Sequence, residues 1–309
     1  MTERILITQP IDASAMARLE SEDLQIDVWP GPAPMPASEL RARAAGCAGL
    51  ISMLTDPIDA VLMESGPLRV VAQHAVGVNN IDLDAAEALG VAVAHTPGVL
   101  TAATADLAMA LLLSTARRIV EGHALVKAGE WKGWSPTLLC GMELNGATLG
   151  VVGMGRIGAA VAQRAEAFGM RVIHHNRSSG CSLDELLAES DVITLHCPLT
   201  PETRHLIDAK AFDLMKDTAI LINTARGPVV DEAALVHALS SGEIAAAGLD
   251  VFEEEPRIHP GLVDLPNVVM APHLGSATVA TRRKMGHMVA DDLVRGLRGE
   301  TLENAVRRS

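Results

Sequence analysis

Residues 150–169 read GVVGMGRIGAAVAQRAEAFG, and this stretch decides the fold. A short apolar run leads into Gly153, Gly155 and Gly158 in GxGxxG spacing, and a helical pattern follows at once. A strand, a glycine turn and a helix in that order are the setting a dinucleotide-binding turn requires. Gly153 permits the tight turn, Gly155 lets the backbone approach a pyrophosphate, and Gly158 lets the helix pack on the strand, while the helix N-terminus offers N–H donors. Arg156 and Ile157, inside the turn, belong to the same cofactor contact. The plainer alternative is a Gly-rich turn with only a structural role, and the strand-turn-helix setting argues against it.

The apolar runs ATLGVVG, RVIHHN, DVITLHC, AILINT, EIAAAGLDV and NVVMAP alternate with helical stretches through the second half of the chain, which predicts a doubly wound parallel sheet. The first hundred residues alternate in the same way: RILIT, LQIDVW, GLISM, LRVVAQH and VAVAH are separated by segments such as Asp12 to Leu19 and Asp82 to Leu89. Between the halves lies one long helical pattern, TAATADLAMALLLSTARRIVEGHALVKAGE, followed by the loop GEWKGWSPTLLCGMEL. PGPAPMPASEL reads as a surface loop with Ser38 as the cap of the next helix. A final helix from about Thr278 to Leu297 either caps the second sheet or returns to the first domain. The expected architecture is therefore α/β, with two doubly wound parallel-sheet domains: 1–99 plus 283–309, and 100–282, the latter with an arm at about 117–145.

At 309 residues, two cores are expected from a typical domain size of about 150. The aromatic residues are three Phe, three Trp and no Tyr, so no mechanism here uses a phenol, which removes the Tyr/Lys proton donors of short-chain dehydrogenases and aldo-keto reductases. A net charge of −13 with no basic tract argues against nucleic acid, and any bound anion must rely on a few placed cations. Cys47, Cys140, Cys181 and Cys197 are widely spaced with no ligand cluster, so reduced thiols and no structural metal are expected. Neither a signal peptide nor a membrane span is read in the chain, so a cytoplasmic location is expected.

The strand after the glycine turn ends in Asn176, Arg177 and Ser178, where NAD-binding folds place an acid for the ribose 2′-hydroxyl. An arginine there favours a 2′-phosphate, so the expected cofactor is NADPH over NADH; the alternative is that Arg177 is only a solvated loop cation. Three later strands end at Thr224-Ala225-Arg226, at Asp250 with Glu255 beyond it, and at Pro272-His273 with Gly275 and Ser276 following. An Arg, a carboxylate and a His at one edge of a sheet can grip an anion, hold an imidazole tautomer and move a proton. Each has a plainer reading: a surface arginine, two or more solvated carboxylates among Glu253, Glu254 and Glu255, and a histidine capping the last helix.

The segments VVGMGRIG, HCPLTPETRHLI, INTARGPVVDEAAL, GLDVFEEEP and PHLGSAT strongly resemble the D-isomer-specific 2-hydroxyacid dehydrogenases, over nearly the whole chain. The resemblance implies a Rossmann NAD(P)-binding domain and a flavodoxin-like substrate domain. It implies that Arg226 binds the substrate carboxylate and carbonyl, that His273 is the proton donor in reduction and that Glu255 is its carboxylate partner. Asp250 looks like the nicotinamide amide contact, and Cys197, Pro198 and Thr203 fall where the family lines the adenosine pocket. Thr224, Ala225 and Gly275 belong to the same cofactor set. The loop His74-Ala75-Val76-Gly77-Val78 matches the family's anion-holding backbone, with Val76, Gly77 and Met53 as substrate contacts; His74 competes as the base. The arm with Trp131 and Trp134 resembles the family's dimerisation region, so a homodimer is implied, with Trp134 reaching the partner's site; ordinary packing beneath the loop is the alternative.

Phosphoglycerate dehydrogenases carry an arginine in the segment that aligns with Leu50–Thr55, where Ser52 stands here, and no lysine precedes Lys127. The implied substrate is a small unphosphorylated 2-oxo acid, with glyoxylate/hydroxypyruvate and 2-ketogluconate reductases as the nearest resemblance. An NAD-dependent D-3-phosphoglycerate or other D-2-hydroxyacid dehydrogenase is the runner-up. A nucleotide-sensing corepressor like the C-terminal binding proteins is the reading from another class. One departure is that only Ser179 to Ser182 separate the NRS turn from LDELLAESD, where the family usually has a longer segment with a short strand.

Overall fold

The computed structural model describes residues 2–31 and 33–307. The chain divides into two units, Met1–Leu100 with Ser276–Ser309, and Thr101–Gly275.

In the first unit, β1 (Glu3–Ile7), β2 (Leu24–Val28), β3 (Gly49–Ser52), β4 (Val70–Gln73) and β5 (Ala92–Ala94) alternate with α1 (Ala13–Glu20), α2 (Ala37–Ala44), α3 (Ala60–Glu64) and α4 (Leu83–Leu89). The strand order β2-β1-β3-β4-β5, parallel throughout, is the flavodoxin-like order. Because side chains alternate along a strand, Leu6, Leu50 and Val71 join one core with Leu40 and Leu62, while Ile5, Ile7, Ile51 and Val70 face the other with Leu19 and Leu293. Both faces are covered by helices, which is why the central strands β3 and β4 are buried throughout, while the edge strand β2 alternates polar and apolar residues.

The second unit holds α5 (Thr101–Ala116), α6 (Ile119–Lys127), β6 (Thr148–Val152), α7 (Arg156–Ala167), β7 (Arg171–Asn176), β8 (Ser179–Gly180), α8 (Leu183–Glu189), β9 (Val192–Leu195), α9 (Ala209–Leu214), β10 (Ile220–Asn223), α10 (Glu232–Ser241), β11 (Ala246–Leu249), α11 (Pro260–Val263) and β12 (Val268–Met270). Its sheet runs β12-β11-β10-β9-β6-β7-β8. The order reverses at β6 and β9, so the crevice outside their carboxyl ends is the place where such sheets bind ligands. α5 and α7 pack on one face through Leu111, Leu112 and Val161, and α8, α9 and α10 on the other through Leu186, Phe212 and Leu235.

Four details differ from the sequence reading. The long helical pattern is two helices: Arg118 takes a left-handed φ of 52°, ending α5, whose residues are largely buried, before α6, which buries none. The second sheet is not wholly parallel, because the shortened segment after Arg177 still forms β8, antiparallel to β7 through His175 and Asn176. Helix α2 starts at Ala37 behind Pro36, with no side-chain cap, so Ser38 lies inside the helix; Pro32 of the same loop is outside the described residues. The return to the first unit comes at Ser276 and not 283, since α12 (Val279–Leu297) is capped by Thr278 and packs as a whole on the first sheet.

Much of the acidic surplus sits at helix starts. Asp12, Asp59, Asp82, Asp208 and Asp231 each accept a backbone N–H at the N-cap of α1, α3, α4, α9 and α10. There a carboxylate satisfies an otherwise orphaned donor and meets the positive end of the helix dipole.

Candidate active site

β12, β11, β10, β9 and β6 are neighbours and parallel, so their carboxyl ends form one edge. From that edge emerge His273, Asp250, Arg226, the His196-Cys197-Pro198 segment and the glycine turn. His273 Nδ1 lies 2.8 Å from Glu255 Oε2, and the Phe252 N–H donates to Glu255 Oε1 at 3.0 Å. Burial alone would push the Glu255 carboxyl up; the hydrogen bond and charge of His273, the Phe252 N–H and the charge of Arg226 hold it below its ordinary value. Burial pulls the Arg226 guanidinium down, opposed by the charge of Glu255.

The turn that presents Arg226 is stapled by Asn223, whose Oδ1 accepts the Ala225 N–H at 3.0 Å and whose Nδ2 donates to Arg226 O at 3.0 Å. Arg226 Nη1 donates to Ala225 O at 2.7 Å. A Cβ at Gly227 would sit 1.8 Å from Phe252 O, so the backbone after Arg226 lies directly against the backbone that leads to Glu255. Asn223 and Gly227 were missed as site residues in the sequence; the signals were a polar residue closing an apolar strand and the Arg-Gly dipeptide.

His273 adopts a left-handed φ of 54° and its N–H donates to Asp250 O at 2.9 Å. Asp250 is 1% exposed and holds the following turn: Oδ1 accepts the Leu274 N–H at 2.6 Å and Oδ2 the Gly275 N–H at 2.8 Å. Burial pushes its carboxyl up, against those two donors and the charge of His273.

The glycine turn has the room and the donors a pyrophosphate needs. Gly153 has φ 96° and touches the β9 loop so closely that a Cβ would lie 2.6 Å from Cys197 N. A Cβ at Gly155 would meet nothing within 4 Å, and α7 begins there with no side-chain cap on its N–H groups. The buried Thr224 hydroxyl at the end of β10 has no hydrogen-bond partner. These residues fit a nicotinamide dinucleotide. Asn176 has a more specific place than expected, since its Oδ1 accepts the Met154 N–H at 2.8 Å and so braces the glycine turn itself. Arg177 and Ser178 are exposed just beyond it. The Thr203 hydroxyl donates to Pro198 O at 2.7 Å, and burial pushes the Cys197 thiol up to about 11, which keeps it a neutral wall.

The first unit holds the other expected contacts. The Met53 N–H donates to Asp56 Oδ2 at 2.6 Å, and Asn80 Nδ2 donates to Met53 O at 3.1 Å. Val76 O pairs with His95 Nδ1 at 2.8 Å, and Gly77 O accepts from Gln73 Nε2 at 3.3 Å. A trans peptide places C=O and the next N–H on opposite sides, so the N–H groups of Gly77 and Val78 point away from those partners. The rival histidine, His74, is 7% exposed with neither ring nitrogen hydrogen-bonded, and burial with the charge of Arg282 lowers its pKa to about 4, a ring that stays neutral. A cavity of about 560 Å³ lies at the other edge of the second sheet, beside the first residues of β10, β11 and β12, away from this chemistry.

Residues 109–275 match the NAD binding domain of the D-isomer specific 2-hydroxyacid dehydrogenases. The chain belongs to this family. The D-2-hydroxyacid dehydrogenase is 47% identical over 323 residues to a glyoxylate reductase of Korarchaeum cryptofilum, covering 100% of this chain and 97% of that one. A Thermus thermophilus protein of known crystal structure superimposes with a TM-score of 0.94 at 48% identity, over 98% of this chain and all of that one. The NADPH-dependent glyoxylate/hydroxypyruvate reductase of Sinorhizobium meliloti, crystallised with NADP and malonate, superimposes with a TM-score of 0.89 at 33% identity over the whole of both chains. Membership makes the dehydrogenase an NAD(P)-dependent oxidoreductase. No helix among the described residues is long and apolar enough to cross a membrane.

Proposed function

We propose that this dehydrogenase reduces a small unphosphorylated 2-oxo acid, glyoxylate or hydroxypyruvate, to the 2-hydroxy acid of D configuration where a centre is formed, and that it uses NADPH in preference to NADH. The observation that carries the reading is the imidazole–carboxylate pair of His273 and Glu255 at 2.8 Å, on the sheet edge that also presents Arg226. The nicotinamide, when bound, supplies the hydride. Arg226 grips the carboxylate and draws charge from the 2-oxo oxygen. Protonated His273 gives its proton to the alkoxide oxygen as it forms, and Glu255 balances the imidazolium charge. The glycine turn, Thr224 and Asp250 hold the cofactor, while Arg177 with Ser178 reads its 2′-phosphate.

Ser52, fully buried and donating to Gln73 Oε1 at 2.6 Å, supports an unphosphorylated substrate, since a hydroxyl at that position offers no cation to a phosphate. Exposed apolar side chains crowd the arm, with Trp134 84% exposed and Ile119 57%, which supports a homodimer formed through this region. The deciding experiment is oxidation of NADPH and NADH with glyoxylate, hydroxypyruvate, 2-ketogluconate and 3-phosphohydroxypyruvate. Turnover on the first two with NADPH is expected. Activity confined to NADH and the phosphorylated acid would defeat the substrate reading, and no turnover at all would favour a nucleotide-sensing role.

A further inference from the structure

Helix α10 opens with Glu232, a carboxylate only 6% exposed. It is not the helix cap, because Asp231 already accepts the Ala234 N–H at 3.0 Å. Instead Glu232 Oε1 accepts the Glu253 N–H at 2.7 Å, and the Glu232 N–H points back to Glu253 Oε2 at 3.4 Å. The backbone N–H of His259 also favours the ionised carboxylate. Glu232 thus ties the start of the segment 253–259, which carries Glu255, to the first residue of α10. The start of that segment is tied down further: Glu253 Oε1 lies 2.6 Å from His205 Nε2 and 3.4 Å from Arg204 Nη2. Burial pushes the Glu232 carboxyl up, and the charge of Glu253 adds to this. A buried carboxylate next to a second one is costly unless its hydrogen bonds do something for the fold or the site.

We propose that Glu232 is the positioning residue for Glu255: by holding the backbone at Glu253, two residues before it, it keeps Glu255 Oε2 against His273 Nδ1. The inference rests on His273 acting as proton donor. It identifies a residue that touches neither substrate nor cofactor and acts through the loop.

The test uses the full-length protein with Glu232→Ala, Glu232→Gln and Glu232→Asp. The first readout is the low-field proton resonance of the His273–Glu255 hydrogen bond, identified by its loss in His273→Gln. The second is the pH profile of kcat/KM for reduction of glyoxylate by NADPH. Glu232→Ala is expected to lose the resonance, lower kcat about 10- to 100-fold as for a catalytic group displaced by an ångström, and move the alkaline limb of the profile to lower pH. Its NADPH affinity is expected to stay within about twofold, since the segment 253–259 carries none of the cofactor contacts. Glu232→Gln, which keeps an acceptor for the Glu253 N–H, is expected to fall between Ala and wild type. Glu232→Asp retains the charge at a shorter reach, and it decides the matter if the alanine variant does not fold. An unchanged resonance and alkaline limb in a folded Ala or Asp variant would overturn the proposal. If wild type reduces no 2-oxo acid, the functional reading fails while the resonance comparison still decides the role of Glu232.

Discussion

Arg226 is held by a turn in which each polar atom of the Asn223 side chain has a backbone partner, and its guanidinium is anchored through Nη1 to Ala225 O at 2.7 Å. Removing a desolvated charge that faces an anion costs about 2–5 kcal/mol; Arg226→Ala is expected to lose that much in kcat/KM for glyoxylate, measured by steady-state kinetics. Arg226→Lys is expected to recover little, because a point charge does not replace a planar fork. Arg177 is an exposed cation beyond a strand that ends without an acid, and Arg177→Ala is expected to lower the ratio of NADPH to NADH efficiency. An unchanged ratio would leave it a solvated loop residue. At this scale the sequence was most legible where a residue type alone suggests chemistry: Arg226 and His273 stood out by type and strand-end position, whereas Glu255 was singled out from Glu253 and Glu254 only by the family resemblance, and its pairing with His273 at 2.8 Å is seen in the fold. Asn223 and Glu232 were not legible, because their meaning lies in backbone groups that only the folded turn brings to them.

Among the elements, strands and crossover helices were legible because the central strands are buried on both faces and read as apolar runs, such as β3, β4, β6, β9 and β10. The breaks were less so: nothing in TARRIVEG distinguishes a continuing helix from one that stops at a left-handed Arg118. The edge after β7 shows local chemistry replacing length. With only Ser179 to Ser182 available, α8 starts on a capping box in which the Glu185 N–H donates to Ser182 Oγ at 3.2 Å and the Ser182 N–H to Glu185 Oε2 at 2.9 Å. Ser182→Ala is expected to cost about 1 kcal/mol in a denaturation experiment, the usual worth of such a cap. The exposed face of α6 and its following loop makes a separate prediction. Trp131→Ser with Trp134→Ser is expected to shift the sedimentation behaviour from dimer towards monomer if the arm is the interface.

For the whole molecule, the two units carry matching liabilities to acid. His74 in the first unit and His196 in the second are both lowered to about 4, His74 by burial and the charge of Arg282, His196 by burial. Each stays neutral in the native protein while the unfolded chain takes up a proton near its ordinary value. Their contribution is therefore fully present above about pH 6.5 and is lost as the pH falls towards 4, by up to about 3 kcal/mol for each. Urea midpoints measured from neutral pH down to mild acid are expected to fall, and to fall less in His74→Gln and His196→Gln. Midpoints that do not move in either variant would remove these two groups from the account.

The β8 remnant has a consequence outside catalysis. The seven-stranded sheet ends in a two-residue antiparallel strand on one side and in β12, three residues long, on the other. A sheet edge templates the pairing of another chain only along the length it exposes. On the β8 side the strand partner reaches only His175 and Asn176, so the outer edge of β7 from Arg171 to Ile173 is the stretch a neighbouring chain could pair with, a length too short to template an extended sheet.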